Sequence, residues 1–122
     1  MNINEVAFTC YAVTDMAKSR AFYEGVLGLV PTTFYGEATG DSQWTEYEIG
    51  PGAFALGRYA DFKPSVDGAA VAFEVDDFDA AVKRLRDAGA IFKMEPMQTP
   101  VCRMAMILDP DGSSLMIHKR NS

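Results

Sequence analysis

The chain has 122 residues, enough for one domain with a real core, and its 48% hydrophobic and 23% charged residues fit a globular protein. A formal charge of −6, with His118-Lys119-Arg120 as the only basic run, argues against nucleic acid, which needs a clustered basic surface. No apolar stretch nears the ~20 residues that span a bilayer; the start, Met1-Asn2-Ile3-Asn4-Glu5, lacks signal-peptide character, and Cys10 and Cys102 read as free thiols of a cytoplasmic protein.

In chain order, residues 4–13 are β-prone, with Val6, Phe8, Cys10 and Ala12 on one face and Ala7, Thr9, Tyr11 and Val13 on the other. Thr14 or Asp15 can cap a helix running to about Leu27, where Gly28 supplies a left-handed end and Pro31 prevents resumption. Strands are expected near 32–35, 42–49 and 52–59, the last two forming a hairpin around Gly50-Pro51-Gly52. A polar linker over 60–68 follows, then a strand at 69–75. Asp76 or Asp77 caps a helix whose Phe78, Ala81, Val82, Leu85 and Ala88 form one apolar face, ending at Gly89. Strands near 90–94, 101–108 and 114–119 complete the chain, the last two joined by Asp109-Pro110-Asp111-Gly112.

The order β-α-β-β-β therefore occurs twice. Asp15 and Asp77 lie 62 positions apart (77 − 15), and Gly28 and Gly89 lie 61 apart (89 − 28). That spacing is too long for a solenoid repeat and indicates one supersecondary module used twice. The expected fold class is α+β within one domain, residues 1–122, with modules at about 1–60 and 68–122. Two similar halves that pair leave a cleft, where function should be sought.

Val13-Thr14-Asp15, Ala21-Phe22-Tyr23-Glu24-Gly25-Val26-Leu27-Gly28-Leu29, Ala72-Phe73-Glu74-Val75-Asp76-Asp77 and Asp109-Pro110-Asp111-Gly112 together resemble the vicinal oxygen chelate superfamily. That superfamily includes glyoxalase I, the bleomycin- and fosfomycin-resistance proteins and extradiol dioxygenases. The resemblance covers essentially the whole chain. It implies two βαβββ modules whose strands curve into a shared mixed-sheet cup, with helices outside and ligands within. These motifs are core, cap and turn residues that identify an architecture without themselves carrying chemistry.

Metal-dependent relatives hold their ion through a His in the first strand, a His in the strand opening the second half, and a Glu in the last strand. Family spacing places those ligands at Phe8, Ala70 and Met116 here, and the hairpin strand 52–59 has no Asp, Glu, His, Asn or Gln. A divalent ion of this kind needs imidazole or carboxylate ligands, and Met116 offers only a thioether. With one His in the chain, a two-His site within one subunit is impossible. No metal and no cofactor are therefore expected. A displaced site built from His118, Glu74, Glu46 or Glu48 is the alternative to a solvated carboxylate and a frayed-end histidine.

Strand alternation places Phe8 and Cys10, Ala70 and Glu74, and Met116 and His118 toward the cup. Met104, Met106 or their neighbours should join them, with Trp44, Tyr47 and Arg58 from the hairpin, each face uncertain by one residue. This apolar, sulfur-rich and aromatic lining suits an organic ligand, although the methionines could equally be packing. His118 could act as a general base oriented by Glu74. Cys10 has no neighbouring base in sequence, and Arg58 and Arg103 could meet an anionic group or simply be solvated. The first expectation is a metal-free binding protein of the bleomycin-resistance type, a homodimer taking an apolar or aromatic ligand, with acidity favouring cationic ones. The alternatives are a lyase or isomerase using His118 and Glu74, and a metal-dependent glyoxalase-like enzyme. Neither nucleic acid nor membrane is an expected partner.

Overall fold

Both helices start in the same way. Asp15 and Asp77 are extended, and each side chain accepts a hydrogen bond from the amide three residues on, Lys18 N and Ala80 N, both at 3.0 Å. A carboxylate there satisfies an otherwise unbonded first-turn amide and complements the positive end of the helix. Gly28 and Gly89 follow the helices at φ +79° and +76°, a conformation that glycine adopts without Cβ strain.

The computed structural model describes residues 1–36 and 40–121, in two compact units, Met1–Pro64 and Ser65–Ser122. The first contains β1 (Thr9–Ala12), α1 (Met16–Arg20), β2 (Thr33–Gly36), β3 (Gln43–Ile49) and β4 (Gly52–Arg58). The second contains β5 (Val71–Glu74), α2 (Phe78–Asp87), β6 (Ile91–Gln98), β7 (Cys102–Leu108) and β8 (Ser114–Arg120). Each unit is a four-stranded mixed sheet, ordered β1-β4-β3-β2 in one and β5-β8-β7-β6 in the other. The opening strand runs parallel to the closing strand, and the other neighbours are antiparallel. The fold is thus α+β, built from two βαβββ modules. No helix is long and apolar enough to cross a membrane.

In the first module an aromatic core lies between α1 and the sheet. Phe54 packs with ring centroids 5.2 Å from both Tyr11 and Tyr23 and 6.5 Å from Tyr47. Tyr47 is fully buried, and its hydroxyl donates to Glu24 at 2.8 Å, while Arg20 pairs with the same carboxylate at 2.6 Å. In the second module Phe78 and Leu85 of α2 meet an aliphatic layer of Ala105, Ile107, Leu115 and Ile117, all buried. Burial of each large apolar side chain contributes about 1.5–3 kcal/mol.

The structure departs from expectation at three places. The first strand begins only at Thr9, and Val6 is exposed, so the 4–13 alternation does not extend to it. The first helix is α-helical only to Arg20 and then continues as a π-helical turn, Ala21–Val26, in which Leu27 N donates to the Phe22 carbonyl at 3.1 Å. Gly25, a weak helix former, lies within this widened turn. β6 extends four residues past position 94, and its register against β7 shifts between Phe92 and Met94 and again between Met94 and Met97. Pro96, which has no amide hydrogen to donate to a ladder, lies inside the second irregularity.

Candidate functional site

Which side of the first sheet is open follows from β3. Thr45 and Tyr47 point at the helix, the former with its hydroxyl 3.5 Å from Met16 Sδ and the latter bonded to Glu24. Alternation then turns Trp44, Glu46 and Glu48 to the opposite face. Their partners on β4 are Gly57, Ala55 and Ala53, all small. On this face the Trp44 indole N–H donates to Glu46 Oε1 at 2.8 Å. Phe8 meets Trp44 edge-on, with centroids 5.4 Å apart at 88°, and Tyr59 lies at 6.4 Å and 49°. Phe8 is 47% exposed and Tyr59 38% exposed, so the cluster is open to solvent.

Gly57 makes room for this cluster. A Cβ there would lie 3.2 Å from Cys10 Sγ and from the Tyr59 ring, and 3.4 Å from the Trp44 indole. Cys10 is therefore packed beneath the aromatic group. Burial pushes its thiol up to about 11, which keeps it protonated and a poor nucleophile at neutral pH. Separate from the cluster, on the helix side of the sheet, a cavity of about 430 Å³ opens between α1 and β2–β3, lined among others by Met16, Arg20, Phe34, Tyr35, Thr45 and Trp44.

The second sheet carries a different surface. Cross-strand partners form two neighbouring rows, Glu74–His118–Met104–Met97 and Ala72–Met116–Met106–Met94. Leu115, Ile117, Ala105 and Ile107 are buried toward α2, so His118 and these methionines occupy the other face. His118 Nδ1 lies 2.5 Å from Glu74 Oε1, and the Arg120 amide donates to Glu74 Oε2 at 2.8 Å. The amide bond first, and the imidazole second, hold the Glu74 carboxyl below the usual carboxylate range. The pair is partly open, with His118 22% and Glu74 43% exposed at the side chain.

The expected lining residues separate accordingly. Phe8, Cys10 and Trp44 come together in the first module. Met104, Met106 and Met116 share the second module's face with His118 and Glu74. Tyr47 does not join Trp44: it lies on the helix side because residues three apart on a strand have opposite parity. Arg58 also has helix-side parity, and its guanidinium donates to the carbonyls of Thr14 at 2.9 Å and Gly40 at 2.8 Å. Ala70 precedes β5 and is exposed, so it lines no strand face. Arg103 is committed to Asp79 at 2.7 Å and stacks over Phe78. Sequence reasoning missed Tyr59 and Gly57. The hairpin around Gly50-Pro51 pairs residues 44 with 57 and 43 with 58, so its centre could have revealed the gap opposite Trp44.

The donor set does not fit the family's divalent ion. Phe8, Ala70 and Met116 carry neither imidazole nor carboxylate, and no group of three His, Cys, Asp or Glu able to hold a metal occurs among the described residues.

A family model described as the Glyoxalase/Bleomycin resistance protein/Dioxygenase superfamily matches residues 2–117. The anthracycline biosynthesis protein DauV of Streptomyces sp. (strain C5) is 33% identical over 104 residues, covering 84% of this chain and 37% of the relative. DnrV of Streptomyces peucetius, also described as an anthracycline biosynthesis protein, is 34% identical over 110 residues, covering 86% and 38%. The chain therefore spans little more than a third of the length of these curated relatives. Among solved structures, TnmS3, described as an antibiotic binding protein from Streptomyces sp. CB03234, is similar with a TM-score of 0.82 at 24% identity, over 99% of both chains. Sequence motifs, the twice-used βαβββ module and the family match agree: this chain belongs to the Glyoxalase/Bleomycin resistance protein/Dioxygenase superfamily.

Proposed function

We propose that this protein binds a planar, apolar or aromatic small molecule without metal and without chemical turnover. The observation that carries this reading is the solvent-open cluster of Phe8, Trp44 and Tyr59 over Gly57, a set of ring faces and edges suited to stacking. The anthracycline-related curated relatives and the antibiotic-binding fold neighbour support a polycyclic ligand of antibiotic type. Met104, Met106 and Met116 give the second module an apolar surface of its own, whose flexible thioethers adapt to varied shapes. The missing imidazole and carboxylate donors at Phe8, Ala70 and Met116 support metal independence.

The test is a thermal-shift screen of untagged, EDTA-treated protein. It compares Ni²⁺, Zn²⁺ and Mn²⁺ with a panel of polycyclic aromatic compounds. A ligand at a hundredfold excess over its dissociation constant stabilises by ~2.7 kcal/mol. A shift with an aromatic compound and none with metals is expected. Stabilisation by micromolar metal alone would overturn this reading.

The close His118–Glu74 contact favours a second reading, acid–base chemistry by a lyase or isomerase, with Glu74 orienting the imidazole. Turnover of a bound compound that disappears in His118→Gln while binding persists would establish it; unchanged compound after long incubation would exclude it. In a cytoplasmic homodimer, the exposed Phe34 and Tyr35 on edge strand β2 would find cover, which light scattering of the purified protein would test by its mass.

A further inference from the structure

The aromatic face of the first module has a charged rim. Glu46 accepts the Trp44 indole N–H through Oε1, which pins the carboxylate beside the ring and leaves Oε2 uncommitted among the described residues. The ion pairs of the described residues involve neither Glu46 nor its same-face neighbour Glu48. A carboxylate held against a tryptophan, with no cation paired to it among the described residues, is a specific chemical arrangement. Indole is the strongest of the aromatic faces toward a cation, and the carboxylate supplies the opposite charge at its edge.

We propose that the ligand carries an alkylammonium group, which Glu46 and Trp44 recognise together while the apolar body lies over Phe8, Tyr59 and the Gly57 gap. This inference rests on the binding reading above and specifies the ligand class of the same site. A single available oxygen suits a compact ammonium. A planar guanidinium would use two parallel acceptors, and one of the two here is already committed to the indole. A neutral aromatic would leave Glu46 partly desolvated without compensation, so the site discriminates against it. The half-buried position of Trp44 and Glu46 strengthens the attraction relative to a fully exposed pair.

The experiment uses two probes with the same ring system: doxorubicin, whose amino sugar is a primary ammonium, and its N-acetyl derivative, which is uncharged. Dissociation constants are measured by calorimetry for the natural protein and for Glu46→Gln, whose amide oxygen can still accept from the indole. The natural protein is expected to prefer the amine by roughly tenfold, and Glu46→Gln to bring the two affinities together. Equal affinities in the natural protein would overturn the ammonium inference while leaving aromatic binding intact. So would a preference that survives Glu46→Gln. Failure of both probes to bind would overturn the aromatic-binding reading and this inference with it.

Discussion

The two modules share strand order, caps and closing glycines, yet they solve their packing with different chemistry. The first has tyrosines and a phenylalanine beneath its helix, with a charged Tyr47–Glu24–Arg20 relay within that layer. The second has an aliphatic layer under α2, while both modules place arginines on ring faces, Arg20 over Phe34 in the first and Arg86 over Phe92 and Arg103 over Phe78 in the second. The sheet faces turned away from the helices diverge further: aromatic and carboxylate on one, thioether and imidazole on the other. One backbone plan used twice thus frees the side chains of each copy to specialise. The helix shows a structural counterpart, since α2 is regular throughout whereas α1 widens into a π-helical turn, a feature frequent at functional sites.

The contrast can be broken most forcefully at the cores. Phe54→Ala removes the ring that three tyrosines contact and should cost about 3–5 kcal/mol, read by urea unfolding. A value near 1 kcal/mol would mean that the aromatic layer relaxes freely and differs little in kind from the aliphatic one. Next in size is Gly57→Val. The added side chain must displace Cys10, Tyr59 or Trp44, which should destabilise by about 1–3 kcal/mol and abolish aromatic-ligand binding in calorimetry. Retained binding would show that the gap opposite Trp44 is not needed.

The smallest effect concerns the relay. Tyr47→Phe deletes one hydrogen bond to Glu24 and should cost about 1–2 kcal/mol near neutral pH. Burial first, then the hydrogen bond to Glu24 and its charge, raise the Tyr47 hydroxyl above its ordinary value of 10.0. A raised folded-state value means that the stabilisation is complete below about pH 10 and declines above it, at up to about 1.4 kcal/mol per pH unit. The stability gap between natural protein and Tyr47→Phe should therefore narrow as pH rises past 10; a gap independent of pH would refute the relay.

Local rules made much of the architecture legible. Asp15, Asp77, Gly28 and Gly89 announce helix ends through their own chemistry, and Gly50-Pro51-Gly52 fixes the hairpin register. Where β1 starts was hidden, because Val6 and Phe8 alternate like strand residues although the pairing with β4 among the described residues begins only at Thr9. The two irregularities in β6 were hidden because they depend on pairing with β7, a long-range property. At the site, Trp44 and Tyr47 are equally plausible as aromatic lining by composition. Only parity, fixed once Thr45 meets Met16, decides between them. The surroundings of Arg58 were hidden for a related reason: its partners include the carbonyls of Thr14 and Gly40, which composition does not reveal as binders of a guanidinium.

Trp44 is the chain's only tryptophan, and it stands in the first module beside a carboxylate. Its emission therefore comes from one address, within the first module. Followed during denaturation, the fluorescence traces the melting of the first module, whereas circular dichroism sums both. Coincident curves would mean that the two copies of the fold unfold cooperatively as one body, and separated curves that each copy keeps its own transition. The molecule carries an internal reporter of how far its duplication has been fused into a single cooperative unit.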